Sequence, residues 1–193
     1  MLAGGAATRY GGRPKGLELV GNERIIDRVA RSLRPVTATP LVVSNDPAAS
    51  TWLPQSPVAG DVLEGRASAI GIHAALSHTN ADMVVLAWDM PFVPAALVAE
   101  LARLLTDGVS AVVPHGPEGL QPVCAAYSRS IIPLLERLIG EGFVKLSMVL
   151  AGLPAVRELD LATVARFGDP QTIFFNVNRP DDLVRAEAIA RAL

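Results

Sequence analysis

The sequence predicts an α/β fold: one domain in three layers, with helices on both faces of a doubly wound, mostly parallel sheet. Three observations predict it. Short apolar runs alternate with amphipathic stretches, the pattern of buried strands covered by helices. With 193 residues and 50% apolar side chains, the chain can build a core on both faces of a sheet. No repeat, low-complexity tract or long linker divides it, so residues 1–193 read as one domain.

The elements follow in order. Only Met1 stands ahead of Leu2, less than the buried strand that ordinarily precedes a phosphate loop. The expectation is a first strand cut short, with chain upstream of Met1. Residues 25–33 carry apolar side chains at 25, 26, 29, 30 and 33, a helical stripe that Pro35 ends. Residues 41–43 form a short buried strand running into the turn cluster 44–47. Residues 58–63 read as a strand broken at Gly60, and residues 69–76 as a helix despite Gly71. Residues 83–87 are the clearest central strand and lead into Trp88-Asp89-Met90-Pro91. Pro94 opens a helix over 95–105, where its missing N–H costs nothing, and Gly108 ends it. Strands at 109–114 and 120–127 are joined through Gly116, Pro117 and Gly119. Helices at 131–138 and 145–150 precede strands at 155–159 and 173–177. A closing helix spans 181–192, its start marked by Pro180 and by Asp181 and Asp182, which suit the helix dipole.

Composition narrows the function. A net charge of −2 leaves no broad basic field for nucleic acid or an anionic membrane, so any polyanion is gripped locally. Cys124 is the single cysteine, which excludes an internal disulfide and a thiolate metal cluster. Its flanks, PVCAAY, read as a strand, making it a small buried hydrophobe. His73, His78 and His115 lack zinc-ligand spacing. No apolar run reaches the length of a membrane span, and the first fifteen residues carry no apolar leader core. A cytoplasmic location is the expectation.

The run LAGGAATRYGGRPKG, residues 2–16, holds five glycines and three cations (Arg9, Arg13, Lys15) and no carboxylate. Glycine permits positive φ and close approach of a ligand to the main chain. Successive N–H groups in such a turn form an anion-binding concavity that nearby cations reinforce. The expected guest is a polyphosphate, held by the run Leu2, Ala3, Gly4 and Gly5 with Arg9 and Lys15. Arg13 is less constrained and can simply face solvent. The spacing fits neither G-x-x-x-x-G-K-[ST] nor G-x-G-x-x-G. In an open α/β sheet the ligand crevice lies beyond the carboxyl ends of the strands, and Asp89 stands there. A carboxylate in that place can hold Mg²⁺, which prefers oxygen ligands and usually bridges to substrate phosphates.

LAGG, then Arg9, Gly11-Gly12 and Lys15-Gly16-Leu17 resemble the signature loop of the nucleotidyltransferases that build the molybdenum cofactor. Gly11-Gly12 and the Lys-Gly step resemble the guanylyl branch more than the cytidylyl branch. The resemblance implies a Rossmann-like fold of the nucleotide-diphospho-sugar transferase type. It also implies GTP and molybdenum-molybdopterin as substrates, Mg²⁺ on Asp89, and proteins of molybdoenzyme maturation as partners. Arg9, Lys15 and Asp89 take the catalytic places in it. Asp61 matches a nucleotide-contacting aspartate, and a carboxylate accepting from the ring N–H and exocyclic amine is one way to select guanine. A turn residue beside Gly60 is the plainer account of Asp61. Asn45, or Ser44 beside it, would bond base or ribose, although an Asx-turn before Pro47 explains Asn45 as well. The segment from Asn176 to Leu183 resembles the family's N-[IV]-N-x-P-x-[DE]-L, with Asn176 and Asn178 on one strand face toward the pterin, and Gln121 resembles a residue on that side. Transfer of CMP to molybdopterin, transfer from an NTP to a phosphorylated sugar, and nucleotide binding without turnover stay open beside GMP transfer.

Overall fold

The computed structural model describes residues 1–4, 14–65 and 67–193. Leu19–Val20 (β1) and Glu23–Arg24 (β2) form an antiparallel hairpin. Gly21 and Asn22 turn it with φ of 58° and 63°, the left-handed pair that a two-residue hairpin requires. Helix Ile25–Ser32 (α1) follows, its stripe Ile25, Ile26 and Val29 fully buried. Val42–Val43 (β3) pairs in parallel with Val58–Ala59 (β4). Helix Ser68–Thr79 (α2), strand Met83–Leu86 (β5) and helix Ala95–Leu104 (α3) complete the first half. Ala111–Gly116 (β6), Gly119–Leu120 (β7) and Cys124–Tyr127 (β8) form the antiparallel part of the sheet. Helices Ile132–Gly140 (α4) and Leu146–Gly152 (α5) lead to strand Val156–Leu159 (β9), and Leu161–Val164 (α6), Pro170–Ile173 (α7) and Pro180–Ala192 (α8) end the chain.

Leu2 makes one sheet of two. It bridges Val43 on one side and Ala87 on the other, both in parallel. Ala3 N donates to Val43 O (2.9 Å), Leu2 N to Leu86 O (2.8 Å) and Trp88 N to Leu2 O (3.0 Å). The order across the sheet is β4, β3, residues 1–3, β5, β8, β6, β9. β8 is antiparallel to β5 and β6, whereas β9 is parallel to β6. The sheet is therefore mixed, with β8 set against its neighbours because it returns directly from β6 through the β7 turn.

Alternation along the strands sorts the two cores. Leu86, Val112, Cys124 and Ala126 face α1, α3 and α8, packing with Ile26, Leu97 and Ala186. Val85, Ala111, Val113, Ala125 and Tyr127 face α2, α4 and α5, packing with Ile72, Leu135 and Val149. This is the period of two that a strand buried on both faces must show.

Two expected strands are corrected. Residues 58–63 hold only the two-residue β4, and Asp61 lies past it. Residues 173–177 are no strand: Ile173 ends α7, and the chain then runs irregularly past the carboxyl ends of β6 and β5, where Val177 N meets Asp89 O. Asp169 dictates this, its carboxylate accepting from Gln171 N (3.2 Å) and Thr172 N (3.1 Å) ahead of Pro170. Such a cap with proline at the first helical position overrides the strand propensity of Ile173-Phe174-Phe175. A cavity of about 470 Å³, lined by Met1, Leu41, Pro57 and Met83 among others, lies at the amino ends of β3, β4 and β5. That is the end of the sheet away from Asn45, Asp61 and Asp89. The Met1 amine donates there to Leu41 O (2.8 Å), and burial pushes its pKa down from 8.0 to about 5.

Candidate active site

Three segments meet beyond the carboxyl end of β5. Asp89 is fixed by its own backbone, since Val177 N donates to its carbonyl (2.9 Å) and Met90 N turns back to Ala87 O (3.3 Å). The Asp89 residue is 9% exposed. Its Oδ2 is paired with Lys15 Nζ, and its Oδ1 is buried with no hydrogen-bond partner among the described residues. Lys15 Nζ also donates to Asn178 Oδ1 (3.0 Å). Asn178 is held in turn, because its N–H and that of Arg179 both donate to Asp182 Oδ2 (2.9 and 2.8 Å) in the first turn of α8. A carboxylate at the third helical position reaching back to the entry N–H groups is ordinary capping chemistry. Here it also locks the residue that holds Lys15.

Gly16 brings Lys15 to this place. A Cβ on Gly16 would lie 2.3 Å from a Trp88 ring carbon, so only glycine lets the turn Lys15–Leu17 close on that ring. Trp88 is stacked on Trp52, with centroids 4.9 Å apart and planes at 23°. The aromatic pair forms the floor under the turn.

A second polar pair stands past β3 and β4. Asn45 Nδ2 donates to Asp61 Oδ2 (2.6 Å), and Asp61 N donates back to Asn45 Oδ1 (2.8 Å). Gly60 leaves room for it, since a Cβ there would approach Asn45 Oδ1 to 3.0 Å. Ser44 is buried and its Oγ accepts from Asp46 N (3.2 Å), so Asn45 is the residue joined to Asp61. The Asx-turn belongs to Asp46, whose Oδ1 accepts from Ala48 N (2.8 Å).

The N–H groups of Leu2 and Ala3 are engaged in the sheet, so in this run only Gly4 and later residues can offer one to phosphate. Gly4 is exposed, with open space where a side chain would be. Gly5, Arg9, Gly11, Gly12 and Arg13 lie outside the described residues. Gln121 is half-buried, its N bonded to Pro114 O (2.9 Å) and its Nε2 to Gly119 O (3.2 Å). Asn176 donates to Phe174 O (3.2 Å), while Asn178 turns to Lys15. The two asparagines therefore do not share a strand face. Asp182 and the packing of Gly16 on Trp88 are what sequence reasoning missed. Pro180 at the first helical position and Asp182 at the third carried a capping signal for the first.

The donor set suits a hard cation. No group of three or more His, Cys, Asp and Glu able to hold a metal occurs among the described residues. Asp89 instead offers one buried oxygen without a partner, and Mg²⁺ is commonly held by one or two carboxylates together with substrate phosphates. Cys124 is no nucleophile: burial pushes its thiol up to about 12.

Residues 1–158 match the family described as MobA-like NTP transferase domain. A molybdenum cofactor guanylyltransferase of Desulfosudis oleivorans is 31% identical over 195 residues, covering 100% of this chain and 95% of its own. The crystal structure of molybdopterin-guanine dinucleotide biosynthesis protein A from Archaeoglobus fulgidus matches with a TM-score of 0.83 at 31% identity, over 100% of this chain and 97% of that one. A Mycobacterium tuberculosis protein crystallised with manganese shares the fold, with a TM-score of 0.68 at 22% identity over 97% and 95% of the two chains. The matched family segment carries the glycine run, Asn45, Asp61 and Asp89 in one frame, and the chain belongs to the MobA-like NTP transferase family.

Proposed function

We propose that this protein transfers GMP from GTP to the molybdopterin form of the molybdenum cofactor, yielding the guanine dinucleotide cofactor and pyrophosphate. The observation that carries the reading is the cluster of Lys15, Asp89 and Asn178, a cation beside a part-neutralised carboxylate at the mouth of the sheet. The full-length likeness to guanylyltransferases gives that cluster its substrates.

A phosphate oxygen of the pterin attacks the α-phosphorus of GTP, and pyrophosphate leaves in line. Such chemistry needs positioning and charge neutralisation more than a covalent intermediate. Lys15 serves as a mobile point charge for the phosphates, and Arg9 as a planar fork. Asp89 would hold Mg²⁺, which would supply further positive charge to the phosphate oxygens. The manganese complex of the mycobacterial neighbour supports a divalent cation in this fold. Asp61, steadied by Asn45, accepts from the two adjacent N–H donors of guanine. Gln121 and Asn176 are assigned to the pterin side. The product passes to proteins that mature molybdoenzymes. A cytoplasmic location agrees with a single buried, unpaired cysteine, and no helix of the described residues is long and apolar enough to cross a membrane.

The test is transfer to molybdopterin from each NTP in turn with Mg²⁺ present. Pyrophosphate release and dinucleotide formation are expected with GTP. Equal transfer from CTP overturns the guanylyl assignment, and no transfer from any NTP overturns the activity.

A further inference from the structure

We propose that Lys15 and the divalent cation are rivals for the Asp89 carboxylate, so that the lysine guards the metal ligand until nucleotide phosphates draw it aside. The proposal deepens the reading above and rests on Asp89 being the metal ligand. Three observations carry it. Lys15 Nζ lies on Asp89 Oδ2 with both side chains largely buried, at 20% and 13% exposure. Asp89 Oδ1 is buried without a partner among the described residues, so the carboxylate's other oxygen still seeks a donor or a cation. Asn178 Oδ1 takes a second N–H of the same ammonium at 3.0 Å and is itself fixed by Asp182.

An ammonium has three donors, and two are accounted for by Asp89 and Asn178. Among the described residues the third has no acceptor, which leaves it for phosphate. A divalent cation approaching Asp89 meets the lysine's positive charge where solvent screening is weak, so the two repel. A polyphosphate offers the ammonium more negative charge than one carboxylate does, and the flexible lysine stem allows the exchange. Asn178, a neutral acceptor, keeps the ammonium within the site while Asp89 changes partner. Asn178 is thereby a positioning residue for Lys15, and Asp182 one for Asn178.

Mn²⁺ binding to the full chain without nucleotide, read by the paramagnetic resonance of free Mn²⁺, tests this. Lys15→Met should bind Mn²⁺ about tenfold tighter than the unaltered protein, within the usual range of coupling between sites. Asn178→Ala should gain less, since the ammonium loses one acceptor and holds Asp89 less firmly. Transfer falls in Lys15→Met while metal affinity rises, a divergence that a structural role for Lys15 would not produce. Circular dichroism checks that each variant folds, and Lys15→Gln replaces Lys15→Met if it does not. An affinity in both lysine variants no higher than in the unaltered protein overturns the rivalry. Adding Asp89→Asn to Lys15→Met separates the two readings. Loss of the gain upholds Asp89 as the ligand, whereas a gain that survives means the metal sits elsewhere and the metal reading fails with the proposal.

Discussion

Lys15 is 74 residues from Asp89 and 163 from Asn178, whereas Asn45 and Asp61 are 16 apart. Both groups stand at the same end of one sheet. The near pair is built by neighbouring strands β3 and β4 and carries a single negative charge with no cation bonded to it among the described residues. The far cluster needs the first turn, β5 and the start of α8 at once, and its carboxylate is matched by a lysine. The difference teaches a division of labour. The exposed local pair is suited to reading the edge of a base, which needs fixed acceptors and little charge. The partly buried distant cluster is suited to phosphate and metal, where charges must be compensated and exchanged.

The largest effect should come from the far cluster. Asp89→Asn keeps the shape and one oxygen but removes the charge, and transfer should fall by about 10²–10³, the scale of deleting one group aimed at transition-state charge. Thermal melting should change little. Normal turnover of this variant at limiting Mg²⁺ would break the comparison by making Asp89 structural.

Gly16→Ala probes how that cluster is held. The added methyl meets the Trp88 ring at 2.3 Å, and Trp88 is clamped against Trp52. Overpacking of this kind costs about 1–3 kcal/mol. Urea unfolding should report that loss, and tryptophan emission should shift in the folded state. Unchanged stability would mean that the turn has another place to go, and that Gly16 does not set the position of Lys15.

The uneven legibility of the sequence follows the same division. Apolar periodicity located α1, whose stripe faces its own core, and apolar runs bounded by proline and other turn residues located α2, α3 and β5 to within a few residues. The rule of strand carboxyl ends found Asp89 and Asn45, since each follows an expected strand, whereas Asp61, expected inside the strand at 58–63, came from the family resemblance. The rule could not find that Asn178 reaches Lys15, because the strand expected at 173–177 is displaced by the capped α7, and the irregular run aims the two asparagines differently. Nor does any local pattern reveal that Lys15-Gly16 needs its glycine for a ring 72 positions away in the chain, from 16 to 88. Asp182 read as a dipole-favouring residue and proved to hold the Asn178 turn.

The near pair should affect choice more than rate. Asp61→Asn replaces an acceptor oxygen with a donor amide, so the variant can no longer accept from both guanine donors. The preference for GTP over CTP should fall by about tenfold, the worth of roughly one hydrogen bond to a charged group. Dependence on Mg²⁺ should stay as it was. A loss of metal dependence in Asp61→Asn would show that the two groups do not divide base from phosphate.

The smallest effect is expected at Cys124, and it makes the other results interpretable. The thiol lies in β8, fully buried between β5 and β6, and burial alone raises its pKa to about 12. At pH 8 only about 10⁻⁴ of it is thiolate, the reactive form, and a reagent has no path to it. A disulfide reagent should therefore leave the folded protein untouched for hours and titrate one thiol at once in denaturant. The same assay on Asp89→Asn, Gly16→Ala and Asp61→Asn reads whether the sheet between the two polar groups is intact. A variant whose Cys124 stays silent has lost chemistry at its site. One whose Cys124 reacts has lost the sheet, and its activity then bears on the fold that both groups share.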